Sequence, residues 1–149
     1  MKGELTGGCL CQAVRYTLRR GFRMRPYACH CTDCQTRTGS AFSLHMLFML
    51  ADLSMSGETD TGAYVQPSGG QAQIHGCGRC MVRIYAVNDQ RPGFGSLRCG
   101  TLDNSASVVP AVHLWVSSKQ PWIVLPDEVP ALARQPRSSE EWMELVRLS

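Results

Sequence analysis

The chain has 149 residues, of which 44% are hydrophobic and 18% charged, with a net charge of +3. This length suits one domain, residues 1–149, and the apolar fraction excludes a disordered chain. Met1-Lys2 is not followed by the apolar run of a secretory signal, and Ala41–Ala51 is far shorter than the ~20 residues of a membrane span. We therefore expect a cytoplasmic protein with no membrane partner, in which the eight cysteines are ligands or catalysts rather than disulfides.

Short segments of alternating polarity, separated by glycine and proline, predict a mainly β fold built from short antiparallel strands. The strand candidates are Ala13–Leu18, Ser40–Phe48, Gly62–Gln66, Gln71–Ile74, Met81–Val87, Ser96–Cys99 and Val108–Val116. The predicted turns are Gly7-Gly8, Pro67–Gly70, Arg91–Gly93 and Pro121.

Two short helices complete the predicted elements. The first is N-capped by Thr32, with Gln35 three residues on, and ends at Gly39. The second covers Ser138–Leu148 and packs the end of the chain onto the sheet; Ser138 and Glu141 form a capping box at its start.

Seven of the eight cysteines lie in three close groups, a pattern that predicts metal sites. The groups are Cys9-x-Cys11, Cys29-x-Cys31-x-x-Cys34 and Cys77-x-x-Cys80, and Cys99 stands alone. Such short gaps let one backbone turn present two thiolates to the same ion. Seven ligands divide most simply into four, which saturate a tetrahedral zinc ion, and three, which leave one position open for catalysis. The natural three are Cys29, Cys31 and Cys34, because they can share one strand-to-helix turn.

A zinc ion held by three thiolates is soft and favours a fourth sulfur ligand, which points to a thiol substrate reacting with an aldehyde. The alternatives are closure of this site by Cys99, His30, Asp33 or another histidine, an iron–sulfur cluster, or a redox dithiol at Cys77 and Cys80. The ordinary expectation for His30, His45, His75 and His113 is a structural role, and for Cys99 it is that of a small buried apolar residue.

The amino-terminal segment is basic. Residues 1–40 hold seven Lys/Arg against two acids, and five of the arginines lie between Arg15 and Arg25. The segment is a solvated face, a patch for an anionic small molecule or, least favoured because no aromatic residues are interleaved, a nucleic-acid surface. The alternative to an enzyme is therefore a non-catalytic zinc module that contacts an anionic partner through this segment.

Several motifs in order resemble the glutathione-dependent formaldehyde-activating enzyme family, whose domain also occurs in centromere protein V. The matching motifs run from about residue 7 to residue 130. They are Gly7–Cys11 with Ala13–Tyr16, Cys29–Cys34 with Thr38–Phe42, Cys77-x-x-Cys80, Gly100–Asp103, His113–Val116 and Pro121-Trp122.

The resemblance implies a single β-tent domain with two zinc ions. Cys9, Cys11, Cys77 and Cys80 match the family's structural four-cysteine site, and Cys29, Cys31 and Cys34 match its catalytic site. The implied activity is condensation of formaldehyde with glutathione to S-hydroxymethylglutathione, classed in reverse as a carbon–sulfur lyase. The implied partner is a small thiol such as a glutathione adduct.

Four positions named here depart from the family's pattern. Gln12 stands where a glycine usually follows the first cysteine pair, and Met81 stands where a glycine follows the Cys77–Cys80 pair. A glycine there accepts a left-handed backbone, which Met81 would resist. Gln35 and Thr36 replace basic residues after the three-cysteine motif.

Overall fold

The computed structural model describes residues 3–66 and 68–147, which contain ten strands in two sheets and two α-helices. The strands are β1 (Leu5–Gly8), β2 (Arg15–Leu18), β3 (Tyr27–Cys29), β4 (Ser43–Met49), β5 (Leu53–Ser56), β6 (Thr59–Val65), β7 (Gln71–Cys77), β8 (Arg83–Asn88), β9 (Phe94–Arg98) and β10 (His113–Leu114). The helices are α1 (Thr32–Thr38) and α2 (Ser139–Val146). The predicted fold class, mainly β with a short helix after the three-cysteine motif and a carboxy-terminal helix, is confirmed.

The chain divides into two compact units, each made of two separate stretches of sequence. The first comprises Met1–Arg23 and Leu47–Val108, and the second comprises Met24–Met46 and Val109–Ser149. Strand β4 begins in the second unit and ends in the first. The expectation of one domain over residues 1–149 stays a prediction.

The first unit contains an antiparallel three-stranded sheet of order β1-β2-β5 and the consecutive antiparallel strands β6 to β9. The turn before β9 contains Gly93 at a φ of 82°, and Gly69, at 86°, lies in the turn between β6 and β7. Both turns were predicted, although Pro67 of the second lies outside the described residues. The fully buried side chains include Val14, Leu18, Phe48, Ile84 and Leu97.

The predicted turn at Gly7-Gly8 is wrong, because both glycines belong to β1. A Cβ on Gly7 would lie 2.3 Å from the hydroxyl of Tyr16 and 2.4 Å from the carbonyl oxygen of Thr101. The Tyr16 hydroxyl is itself hydrogen-bonded to the Thr101 hydroxyl at 2.8 Å. Gly7 is therefore needed because another part of the chain packs directly against the strand, and not because the backbone turns.

The second unit contains strands in the order β10-β3-β4, with β3 between its two neighbours. β3 and β4 are antiparallel, but β10 and β3 are parallel, which departs from the expected antiparallel pairing. Helix α2 packs on the start of β3, as predicted: Val146 is fully buried, and the Trp142 and Tyr27 rings make a T-shaped contact at a centroid distance of 5.2 Å.

Several predicted boundaries need correction. Of Val108–Val116, only His113 and Leu114 form a strand, because Pro110 has no N–H for pairing and Trp115 has a left-handed φ of 58°. Ser138 caps α2 as predicted, its Oγ accepting a bond from the Glu141 N–H at 3.1 Å. The end predicted at Leu148 lies outside the described residues. Among the described residues, neither helix has the length and apolarity that a membrane crossing requires.

Candidate metal centres

Two clusters of cysteine sulfurs form in the structure, one in each unit. The first unit brings together Cys9, Cys11, Cys77 and Cys80, with all four sulfurs within 4.8 Å of one another. The sulfur of Cys11 lies 3.6 Å from that of Cys9 and 3.7 Å from that of Cys77. Zinc–sulfur bonds of about 2.3 Å in a tetrahedron place sulfurs about 3.8 Å apart. The donor set and spacing of this four-cysteine centre therefore fit zinc.

Two tight turns of similar construction present these sulfurs. In the first turn, the Cys9 sulfur accepts a hydrogen bond from the Val14 N–H at 3.2 Å. In the second, the Cys77 sulfur accepts from the N–H groups of Arg79 and Cys80 at 3.3 and 3.5 Å. Backbone donors of this kind stabilise a thiolate, because the charge is met by fixed dipoles.

Hydrogen bonds from the N–H groups of Cys11 and Val82 lower the pKa of Cys80 to about 6. The N–H of Ala13 acts to lower the pKa of Cys11, but burial and the neighbouring sulfurs outweigh it and raise that pKa to about 11. Without a metal, the centre therefore holds some of its sulfurs as thiols. Metal binding requires these remaining protons to leave.

Both turns end on a residue with left-handed backbone geometry. Gln12 has a φ of 65° and Met81 a φ of 62°. At both positions the family pattern described above has glycine, and Met81 adopts the left-handed backbone that we expected it to resist. Left-handed geometry costs a residue with a Cβ about 1–2 kcal/mol. The Met81 side chain is also 84% exposed, so it gains little from packing.

The second unit brings together the sulfurs of Cys29, Cys31 and Cys34, again within 4.8 Å of one another. Cys29 ends β3 and Cys34 lies in the first turn of α1. Cys29 and Cys34 are buried, and Cys31 is the most exposed of the three. The predicted strand-to-helix turn is therefore present, and three soft sulfurs in this arrangement also suit zinc.

The predicted N-cap of α1 at Thr32 is one residue too late. The cap is Cys31, whose sulfur accepts a hydrogen bond from the Cys34 N–H at 3.3 Å. The Cys31 sulfur thus accepts the capping hydrogen bond that a Ser, Thr, Asp or Asn oxygen accepts at a typical helix N-terminus. The helix ends as predicted, at Gly39 with a φ of 63°.

The three thiols of this cluster do not ionise alike. Hydrogen bonds from Cys29 and Cys34, together with the N–H groups of Cys34 and Asp33, lower the pKa of Cys31 to about 2 against the opposing effect of burial. Hydrogen bonds with Cys31 and Cys34, together with burial, raise the pKa of Cys29. In the metal-free state the thiolate form is therefore favoured at Cys31 over Cys29.

No fourth His, Cys, Asp or Glu ligand atom within residues 3–66 and 68–147 lies within 4.8 Å of all three sulfurs. His30 points instead to His113, its Nε2 lying 2.9 Å from Nδ1 of that ring, and Asp33 is 3.8 Å from Arg37. Nε2 of His45 lies 3.6 Å from the Cys34 sulfur, a contact that sequence reasoning missed. Cys99 belongs to the first unit, where burial raises its pKa to about 12, as expected of a buried apolar thiol.

Gln35 and Ser118 hold the backbone beside this cluster. Gln35 Nε2 donates to the carbonyl oxygens of His30 and Ser118 at 2.8 and 2.9 Å, and its Oε1 accepts from Gln120 at 2.8 Å. The Ser118 hydroxyl donates to the His30 carbonyl at 2.9 Å. The amide of Gln35, where the family has a basic residue, is therefore occupied by structural hydrogen bonds.

The basic amino-terminal segment makes several contacts within the first unit. Arg15 forms a two-pronged ion pair with Asp103, Arg19 donates to the Ala51 carbonyl at 2.6 Å, and Arg23 is buried and donates to the Gly3 carbonyl. These arginines support the fold. Binding of an anionic partner by this segment stays a prediction.

Comparison with known proteins agrees with the geometry. The model of the glutathione-dependent formaldehyde-activating enzyme family matches residues 4–118. A structural-genomics crystal structure of a Rhodobacter sphaeroides protein shares the fold at a TM-score of 0.52 and 20% identity, over 85% of this chain and 98% of that one. No curated protein matches the sequence. The family match covers most of the chain, including every cysteine of both clusters, and the chain belongs to the glutathione-dependent formaldehyde-activating enzyme family.

Proposed function

We propose that the chain is a zinc-dependent carbon–sulfur lyase that acts on a thiol–aldehyde adduct of the S-hydroxymethylglutathione type. Family membership supports glutathione and formaldehyde as the substrate classes. The observation that carries the proposal is the cluster of Cys29, Cys31 and Cys34, which has three sulfurs and no fourth protein ligand among the described residues. A closed four-ligand site would hold a metal without leaving a place for substrate.

The two centres have different tasks in this proposal. Cys9, Cys11, Cys77 and Cys80 would hold a structural zinc, since four thiolates complete its coordination. Such a site joins two distant chain segments, and the free energy of metal binding becomes free energy of folding.

Cys29, Cys31 and Cys34 would hold the catalytic zinc. A zinc ion with three thiolate ligands keeps one position for a fourth sulfur and, when bound, stabilises that sulfur as thiolate. Because Cys29 and Cys34 are buried and Cys31 is half-exposed, we place the approach of substrate on the side of Cys31.

The residue between Cys29 and Cys31 is a neutral histidine, and hydrogen bonds hold its backbone in place. Burial, together with electrostatic interactions with His113 and Lys119, lowers the pKa of His30 to about 4, so its imidazole is neutral at pH 7. Burial also lowers the pKa of His113. The hydrogen bonds of Gln35 and Ser118 to the His30 carbonyl fix the backbone between Cys29 and Cys31.

The reaction balances without a redox partner. In the lyase direction the carbon–sulfur bond of the adduct breaks and its electron pair stays on sulfur. The hydroxyl oxygen loses its proton and forms the carbonyl of the released aldehyde. In the reverse direction the thiolate adds to the carbonyl carbon and the oxygen takes up a proton.

Exchange NMR with carbon-13 formaldehyde and glutathione tests the proposal, because it measures how fast the two interconvert with their adduct. We expect zinc-loaded protein to accelerate this exchange above the uncatalysed rate and Cys34→Ala to abolish the acceleration. Cys99→Ala, a buried thiol outside both clusters, is the matched control and should retain it. Absence of acceleration with glutathione and with a panel of other small thiols would refute the proposal.

A further inference from the structure

The pairing of β3 with β4 places His45 on the same side of the strands as the three-cysteine cluster. Tyr27 is opposite His45, and Cys29 is opposite Ser43. Because alternate residues of a strand share one face, Cys29 and His45 point to the same side. His45 is only 6% exposed, and its Nε2 lies 3.6 Å from the Cys34 sulfur.

Aromatic contacts hold the His45 ring in place. Tyr27 stacks on it at a centroid distance of 5.2 Å and an interplanar angle of 19°. The Tyr27 ring in turn makes a T-shaped contact with Trp142 of α2 at a centroid distance of 5.2 Å. The contact between His45 and Cys34 is therefore made by a packed side chain with little freedom to turn away.

We infer that His45 is a positioning residue of the three-cysteine centre, donating a hydrogen bond from Nε2–H to the sulfur of Cys34. The inference rests on the zinc site of the proposed function. Three thiolates and one zinc ion carry a net charge of −1, and Cys29 and Cys34 are buried, so this charge needs donors from the protein. A donor at Cys34 withdraws charge from that sulfur and fixes its direction.

Each centre thus receives hydrogen bonds, but from different groups. Cys9 and Cys77 accept theirs from backbone N–H groups. In the three-cysteine centre a backbone N–H donates to Cys31, and a side chain contacts Cys34.

His45 is not itself the missing fourth ligand. Its ring nitrogens do not lie within 4.8 Å of all three sulfurs, and a nitrogen that carries a proton has no lone pair for a metal. A hydrogen bond to sulfur therefore supports the cluster while leaving the fourth position to substrate.

Three variants separate the hydrogen bond from the packing. His45→Phe keeps an aromatic ring for Tyr27 and removes the donor, whereas His45→Gln keeps an N–H of similar reach and loses the ring. His75→Phe is the matched control, because His75 stacks on its cross-strand partner Tyr85 at 4.5 Å in the first unit. The measurement is zinc release to a chromophoric chelator, following the kinetic phase that Cys34→Ala removes.

We expect His45→Phe to weaken the zinc affinity of the three-cysteine centre about 10- to 100-fold, the usual effect of losing a hydrogen-bond partner of a metal ligand, and so to speed that phase of zinc release. His45→Gln should recover most of the loss, and His75→Phe should leave the phase unchanged. An unchanged phase in His45→Phe, or equal losses in His45→Phe and His45→Gln, would overturn the inference.

A measurement on the unaltered protein covers the case in which a variant fails to fold. Proton–nitrogen NMR of the zinc-loaded protein reports which nitrogen of His45 carries the proton. The inference requires Nε2–H, and a ring protonated only on Nδ1 contradicts it. Both readouts are independent of turnover, so loss of the proposed lyase activity and loss of this hydrogen bond are separately detectable.

Discussion

The two cysteine centres use the same type of ligand but differ in the number of sulfurs and in the elements that supply them. In the first unit four sulfurs face one another on two tight turns, and each turn ends on a strained left-handed residue. In the second unit a strand end and a helix start supply only three sulfurs, which are backed by packed aromatic rings and His45. In the proposed function this difference in number matters, because four sulfurs complete the coordination of a structural zinc ion and three leave one position for a substrate.

Removing one ligand from each centre tests this difference most strongly. Cys77→Ala should unfold the first unit, since structural zinc sites contribute about 10–16 kcal/mol in small zinc domains, as much as the whole stability of a typical protein. Cys34→Ala should leave thermal unfolding nearly unchanged and lower the zinc content from two ions per chain to one.

Calorimetry and metal analysis of both variants check this prediction. Cys99→Ala should keep both zinc ions and lose only about 1 kcal/mol through its buried volume. Equal behaviour of Cys77→Ala and Cys34→Ala would show that the division into structural and catalytic centres is wrong.

The close packing at Gly7, in the strand that leads to Cys9, can be tested by substitution. Gly7→Ala forces a Cβ to within 2.3 Å of the Tyr16 hydroxyl and 2.4 Å of the Thr101 carbonyl oxygen, so we expect a loss of about 1–3 kcal/mol in the free energy of unfolding. Gly62→Ala is the control in the same unit, because a Cβ there meets nothing within 4 Å. Denaturant unfolding measures both, and equal stabilities would remove the packing argument for Gly7.

The strain in the second cysteine turn predicts a stabilising change. Met81→Gly removes a side chain from a backbone with a φ of 62° and should gain about 0.5–1 kcal/mol, the left-handed penalty less the entropy of glycine. Leu10→Gly is the control, because Leu10 is equally exposed, at 83%, but is not among the positive-φ residues. A loss of stability in both variants would show that the left-handed geometry carries no penalty here.

The smallest expected effect is a pH dependence at Asp103. Hydrogen bonds from Arg15 and Thr6 hold the pKa of this carboxyl below its ordinary value. A depressed folded-state pKa contributes stability above the unfolded pKa, and this contribution is lost as the pH falls through the folded one. Asp103→Asn should therefore make the free energy of unfolding fall less as the pH is lowered. The effect should be small, since the Arg15–Asp103 pair is about half exposed. An unchanged curve, measured by urea unfolding between neutral and acid pH, would contradict this.

Much of the site could be predicted because cysteine spacing is a local signal. One backbone turn brings Cys29, Cys31 and Cys34 together, and their short spacing in the sequence is enough to predict that their sulfurs lie close together. The partnership of Cys9 and Cys11 with Cys77 and Cys80 depends on the fold, and only the family resemblance supplied it in advance.

The missed features depend on contacts between distant residues. β3 is three buried residues without alternation, so it has no period to detect. Gly7-Gly8 has the composition of a turn, yet the reason for glycine at position 7 is the close approach of Tyr16 and Thr101. His45 has the ordinary pattern of a strand residue, and its meeting with Cys34 follows only from the register of β3 and β4.

The proposed function requires the three-cysteine centre to bind a sulfur from outside the chain. Titration of the cobalt-substituted protein with glutathione measures this through the sulfur-to-cobalt charge-transfer absorption. We predict a saturable increase with one thiol bound per chain, absent in Cys34→Ala. A spectrum that neither glutathione nor any other small thiol changes would show that the centre is closed and contradict the account.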